Sequence, residues 1–234
     1  MKIGVFSDIH GNIYAFRQVW KELEKERCDK YYFLGDICGY YYHQNEVVDI
    51  LRGINNLISV KGNHDDFFLR FHKSESSNLA HTAQHGKSHY LLREGVLPNT
   101  LKFLDSLPEN YVDDQNNIAL FHGSPDDHLN GYVYATDSLE YLKDAAFSII
   151  LLGHTHYPMC KKVGNTLIVN PGSCGQPRDC NKPSYVILDT ATKNIVFKRV
   201  LYDIDLMIKD ILKNNEKNGY LIEVLKREQG TCAR

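Results

Sequence analysis

Apolar residues fall along this chain in short runs that break off in polar, turn-forming stretches. Ile3-Gly4-Val5-Phe6 is the first; it predicts a buried strand and stops at Ser7-Asp8-Ile9-His10-Gly11-Asn12. Asp8 and His10 stand two apart, so extended backbone would aim both side chains the same way. Between 13 and 27, Ile13, Phe16, Trp20 and Leu23 recur at helical spacing with Lys and Glu opposite, which predicts a helix laid over a sheet. A second run at 31–34 ends in Gly35-Asp36, residues 44–51 read as a short helix, and a third run at 57–60 leads into Lys61-Gly62-Asn63-His64-Asp65. The order strand, helix, strand, helix, strand predicts parallel pairing through crossovers.

Residues 66–108 hold no strand pattern. Helical periodicity at 79–93 carries His81, His85 and His89 at four-residue spacing, a stripe that reads either as a metal-binding row or as a solvated helix face. Pro98 opens a further helix that stops near Pro108. Strands are predicted at 118–121, 148–152, 167–169, 184–188 and 195–200, the last two as a hairpin, with a helix at 137–146. Ile204, Met207, Ile208 and Ile211 mark an amphipathic helix, and 220–225 another, within a C-terminal helical stretch at 203–234. No linker, repeat or low-complexity tract interrupts the chain. It reads as a single domain over 1–234, with 66–108 as a helical excursion.

Composition narrows the classes. A chain of 234 residues with a formal net charge of −2 supports one sizeable core and carries no basic field for nucleic acid. No apolar run is long enough to cross a membrane and the first residues do not spell a secretion signal, so cytoplasmic residence is expected. Six scattered cysteines with no C-x-x-C pair predict reduced thiols; a zinc knuckle is the second reading.

The chemistry gathers where strands end: Asp8 and His10, Asp36, Asn63 and His64, His122, and His154 and His156 follow separate predicted strands. Carboxylate, amide and imidazole donors brought to one edge of an α/β sheet are the parts of a metal site. Order and local spelling, as D-x-H, G-D, G-N-H-D, H and G-H-x-H, resemble the calcineurin-like metallophosphoesterase family. Pro171-Gly172-Ser173 with Gly175-Gln176-Pro177-Arg178-Asp179 is similar to its small bacterial and archaeal phosphodiesterase branch.

That resemblance implies a four-layer α/β/β/α sandwich of two mixed sheets. It also implies a centre of two divalent ions, manganese, iron, nickel, cobalt or zinc, that activates water against a phosphate ester. The metal ligands would be Asp8, His10 and His156 for one ion and Asn63, His122 and His154 for the other, with Asp36 shared. His64 would be the general acid, or else a residue that only orients substrate, with Asp65 a candidate to position it. A phosphodiesterase acting on a small or nucleotide-like ester follows; a phosphomonoesterase and a non-catalytic scaffold of the same fold stay open. A homo-oligomer is compatible with the sequence. One departure stands out. Where the protein-phosphatase branch has an Asp and an Arg after the shared Asp, this chain has Gly39 and Tyr40. Tyr40, Tyr41 and Tyr42 would then lie near the metals, either stacking on a planar leaving group or packing on the helix that follows.

Overall fold

Strand β1 (Lys2–Phe6) is the centre of the first sheet in a computed structural model that describes residues 1–74 and 86–227. It pairs in parallel with β2 (Lys30–Phe33), which pairs in parallel with β3 (Leu57–Ser59). On its other side β1 runs antiparallel to β9 (Ser184–Asp189), which forms the expected hairpin with β10 (Asn194–Arg199). Helices α1 (Ile13–Glu26) and α2 (Gln44–Arg52) make the two crossovers between the parallel strands.

The second mixed sheet also has five strands: β4 (Asn110–Asp113), β5 (Ile118–Phe121), β6 (Ile149–Leu151), β8 (Thr166–Pro171) and β7 (Pro158–Val163), in that spatial order. Alternation along the strands sorts the core into layers. Ile3, Val5, Tyr32, Leu34, Leu120, Leu151 and Val186 meet between the sheets. Phe6, Phe33, Ile13, Phe16, Val19 and Leu23 pack between the first sheet and its helices. Trp20 sits partly buried on this layer, edge-on to Tyr31 at 5.0 Å.

Helix α3 (Asn63–Lys73) begins inside the polar stretch after β3, and α4 (Ser88–Gly95) and α5 (Pro98–Ser106) follow. His81 and His85 lie outside the described residues. His89 does not stand on a solvated face: it is 1% exposed. The helix expected at 137–146 reduces to a short 3-10 turn at Glu140–Leu142. Leu139 and Leu142 are its buried anchors, three residues apart, a spacing that the tighter turn satisfies. The C-terminal helices α6 (Ile204–Lys213) and α7 (Tyr220–Leu225) pack their apolar faces on Tyr41, partly buried Tyr42 and each other. Cys28, Cys38, Cys160 and Cys174 are free thiols, as expected. Cys180 corrects the expectation of thiols throughout, being disulfide-bonded.

One polar contact ties the sheets together. Tyr32 donates its hydroxyl hydrogen to Asp113, and Lys30 reaches the same carboxylate at 3.0 Å. Burial would raise the Asp113 pKa, but hydrogen bonds from Tyr32, Lys30 and Asn116 outweigh it and hold the group at about 2. Because the folded value is depressed, this stability is present above the unfolded carboxylate value of about 4 and is lost as pH falls toward 2. Asp113→Asn is therefore expected to cost about 2 kcal/mol at pH 7, with the gap to the parent protein closing as pH falls. Urea unfolding at pH 7 and pH 3 checks it; a gap that stays constant between those pH values would refute it.

Candidate metal centre

The residues that follow β1, β2, β3, β5 and β6 converge on one patch, the junction between the carboxyl ends of the two sheets. The loop after β1 is not extended where its site residues stand. Asp8 and His10 have φ of 55° and 51°, in the left-handed region, as do Asp36 at 65°, His154 at 67° and His156 at 63°. The strand-like geometry expected of Asp8-x-His10 is thus replaced by a turn. Its backbone is pinned because Asp8, Ile9 and His10 donate their N–H groups to the Gly35 and Asp36 carbonyls. The side chains meet all the same, by a route that period-two alternation does not describe.

Asp36 is fixed by Asp65. One Asp65 oxygen accepts the N–H groups of Ile37 and Cys38 at 2.9 Å, and the other accepts those of Asp36 and Gly62 at 3.0 Å. Asp65 stands in the first turn of α3, so the bond to Gly62 also caps that helix. Beside its candidate role of positioning His64, its carboxylate thus shapes the loop that presents Asp36. The His64 N–H in turn donates to Asp36 Oδ1 at 2.9 Å, which sets the positive end of α3 against the carboxylate. Gly62 has no room for a side chain, since a Cβ there would lie 2.0 Å from Asp36 Oδ1.

Three histidines are held in one tautomer. His10, His122 and His156 each place Nδ1 2.7 Å from a backbone carbonyl, of Cys38, Leu34 and Gln176 respectively. A carbonyl only accepts, so Nδ1 carries the hydrogen in all three, and in His10 and His156, which burial keeps neutral, the Nε2 lone pair faces the centre. His10 Nε2 and His156 Nε2 lie 3.0 Å apart, with Asp8 Oδ1 at 3.8 and 3.4 Å from them. His122 Nε2 lies 3.0 Å from Asn63 Oδ1 and 3.3 Å from Asp36 Oδ2, and His10 Nε2 is 3.6 Å from the same Asp36 oxygen. Among the described residues three groups are close enough to share one cation: Asp8 with His10 and His156, Asp36 with His122 and His154, and His10 and Asp36 with His64. Asp36 belongs to two of them. Buried Asp8 Oδ1 and Oδ2 and His154 Nε2 have no hydrogen-bond partner.

Electrostatics follows burial and charge. Burial pushes His10 down to about 4 and His154 to about 3, and it holds His156 well below the usual range. Burial, then the Asp36 charge, push Asp8 up to about 7. Burial also works against ionised Asp36 and protonated His122, but the attraction between the two prevails: Asp36 stays well below the carboxylate range, helped by His64 and His10, and His122 rises to about 9.

The centre opens into a cleft of about 530 Å³ lined by Asp36, Tyr40, Asn63, His64, His154 and His156, with Tyr132, Tyr157, Arg178, Tyr220 and Arg227 around them. His64 reaches this cleft with its ring stacked on His89 at 5.6 Å and 12° and edge-on to His10 at 5.1 Å. Gly39 makes space for it. At φ 92° this residue suits glycine, and a Cβ would lie 2.7 Å from His64 Nδ1. Where the protein-phosphatase branch places an Asp, this chain thus has an open position filled by the histidine ring. Tyr40 stands against His10 at 4.6 Å and lines the cleft. Tyr41 and Tyr42 do not line it. Tyr41 is fully buried in the C-terminal cluster, with its carbonyl accepting from Gln44 at the start of α2, and Tyr42 packs against the same cluster.

The sequence reading did not identify Arg178, Arg227, Tyr132, Tyr157 or Tyr220 as site residues. Arg178 lies within the Gly175–Asp179 string already singled out; the other four carry no motif.

Comparison with known proteins agrees with this geometry. Residues 1–193 match the family model described as the calcineurin-like phosphoesterase superfamily domain. The chain belongs to that family. Its activity is phosphoester hydrolysis, and divalent metals are its general requirement. An uncharacterised protein of Methanocaldococcus jannaschii is 34% identical, over 91% of this chain and 92% of its own. The crystal structure of a metallophosphoesterase from Sphaerobacter thermophilus has a TM-score of 0.81 at 25% identity, covering 96% of this chain and 98% of that one. A hypothetical protein of Pyrococcus horikoshii shares the fold, with a TM-score of 0.83 at 21% identity over 98% of this chain and 99% of its own.

Proposed function

We propose that this phosphoesterase is a phosphodiesterase for small or nucleotide-like esters that works with two divalent cations. Asp8, His10 and His156 would hold one cation and Asn63, His122 and His154 the other, with Asp36 shared. One observation carries the reading: His10 Nε2 and His156 Nε2 face each other at 3.0 Å although both rings have their hydrogen on Nδ1. Lone pairs so placed repel unless a cation lies between them. The orphaned oxygens of Asp8 and the orphaned Nε2 of His154 fit the same donor set, which is nitrogen and oxygen without thiolate and suits a first-row divalent ion.

Bound there, such ions supply charge neutralisation at the phosphoryl oxygens and an acidified water. The protein does the rest. Asp65 and the start of α3 fix Asp36. His64 stands in the cleft wall, where it can give a proton to the departing oxygen as water adds to phosphorus and the phosphorus–oxygen bond breaks. Tyr40 lines the cleft at the position that holds an arginine in the protein-phosphatase branch, and its ring is a surface that suits an ester with a second organic substituent.

The test is hydrolysis of bis-p-nitrophenyl phosphate against p-nitrophenyl phosphate with added manganese. The expected result is faster turnover of the diester, loss of activity in EDTA and recovery on adding metal. Faster monoester turnover would make the protein a phosphomonoesterase, and no turnover of either would favour a scaffold.

A further inference from the structure

Two guanidinium groups line the cleft. Arg178 and Arg227 are both half-buried cleft residues, and among the described residues neither has a carboxylate within ion-pair distance. Asp179, the acid next in sequence to Arg178, is engaged by Arg199. Arg178 Nη2 donates to the Tyr40 hydroxyl at 3.4 Å, and its buried Nε has no partner. Arg227 comes from just beyond α7 and donates through Nη1 to the Arg178 backbone carbonyl. The two heads are therefore set at opposite ends of residue 178, one beside Tyr40 and the histidine rings, the other at the backbone end. Among the described residues each keeps donors of its fork unused. A partly desolvated cation without a partner is costly, and a pair of them beside a phosphate-ester site is best matched by an anion at each.

We infer that Arg178 and Arg227 form a two-point anion clamp, and that the substrate is a diphosphate diester, a nucleoside diphosphate whose terminal phosphate carries a second organic group. Arg178 takes the phosphoryl group nearest the metal centre and Arg227 takes the second. The rings of Tyr132, Tyr157 and Tyr220 line the same cleft and suit a planar base beyond the phosphates. This assignment rests on the phosphoesterase reading of the site, and it adds the charge and length of the ligand.

The experiment compares AMP and ADP binding by calorimetry to the metal-loaded protein, its R178Q and R227Q variants, and R227K. The parent protein is expected to bind ADP about 10-fold more tightly than AMP, the value of one charge-assisted contact. R227Q should erase that preference while leaving AMP affinity unchanged. R178Q should weaken both ligands about 10-fold, and R227K should recover part of the ADP preference. Thermal melts of each variant show whether it is folded, and the glutamine side chains retain hydrogen-bonding donors. Metal chelation by ADP is common to all four proteins, so the ratio between variants isolates the arginines. An ADP-to-AMP ratio unchanged in R227Q would overturn the clamp. Binding is read without turnover, so an inactive parent protein would count against the proposed function and leave this result standing on its own.

Discussion

Asp36→Asn is expected to empty both of the proposed cation sites together and to lower turnover by at least about 10²–10³-fold. The substitution preserves shape. Asparagine can still accept the His64 N–H that now bonds Asp36 Oδ1, and the Asp65 clamp acts on the backbone around residue 36. What disappears is the one negative charge that His10 and His122 both face, at 3.6 and 3.3 Å. Two cations held side by side repel, and a shared carboxylate is the group that offsets this for both. Metal analysis after dialysis is the decisive measurement. Loss of both ions is the expected outcome; a variant with full occupancy and an unchanged rate would rule out the shared position.

His64→Ala should leave metal content intact and slow turnover by about 10²–10⁴-fold on poor leaving groups. His64 donates only its backbone N–H to Asp36, and alanine keeps that bond. The imidazole is the part that stands in the cleft. If it protonates the departing oxygen, the loss must shrink as the leaving group becomes more acidic, because p-nitrophenolate departs with little help. A series of aryl and alkyl esters measures that slope. An equal loss across the series would show that the ring orients substrate instead of delivering a proton.

Most of this architecture could be read from pattern. Buried parallel strands announce themselves as apolar runs, and β1, β2, β3, β5 and β6 end in the polar residues that build the centre. The two edge strands of the second sheet, β4 and β7, could not be read. Asn110-Tyr111-Val112-Asp113 has one aliphatic residue, and β7 carries Lys161 and Lys162; edge strands need few buried side chains and use charge against further pairing. Helix α3 was hidden because its first turn is built from site residues, Asn63, His64 and Asp65, whose polarity reads as loop. The neighbours of His64 were equally beyond a linear reading. The stack on His89 joins two helices across a sequence gap, and the space beside Gly39 exists only once the loop has folded. Arg227 is placed by the packing of α7, which no local motif encodes.

The left-handed backbone at His10, His154 and His156 has a consequence for anyone who engineers this protein. Such a conformation costs a non-glycine residue about 1–2 kcal/mol, so the three histidines together cost roughly 3–6 kcal/mol, a large share of the ordinary margin between folded and unfolded chains. Glycine at those positions would relieve the penalty and remove the donor in the same stroke. Directed evolution for heat resistance alone would then climb toward sequences that melt later and no longer turn over. A library built on this scaffold should hold those three codons fixed, or score every round for catalysis as well as for survival.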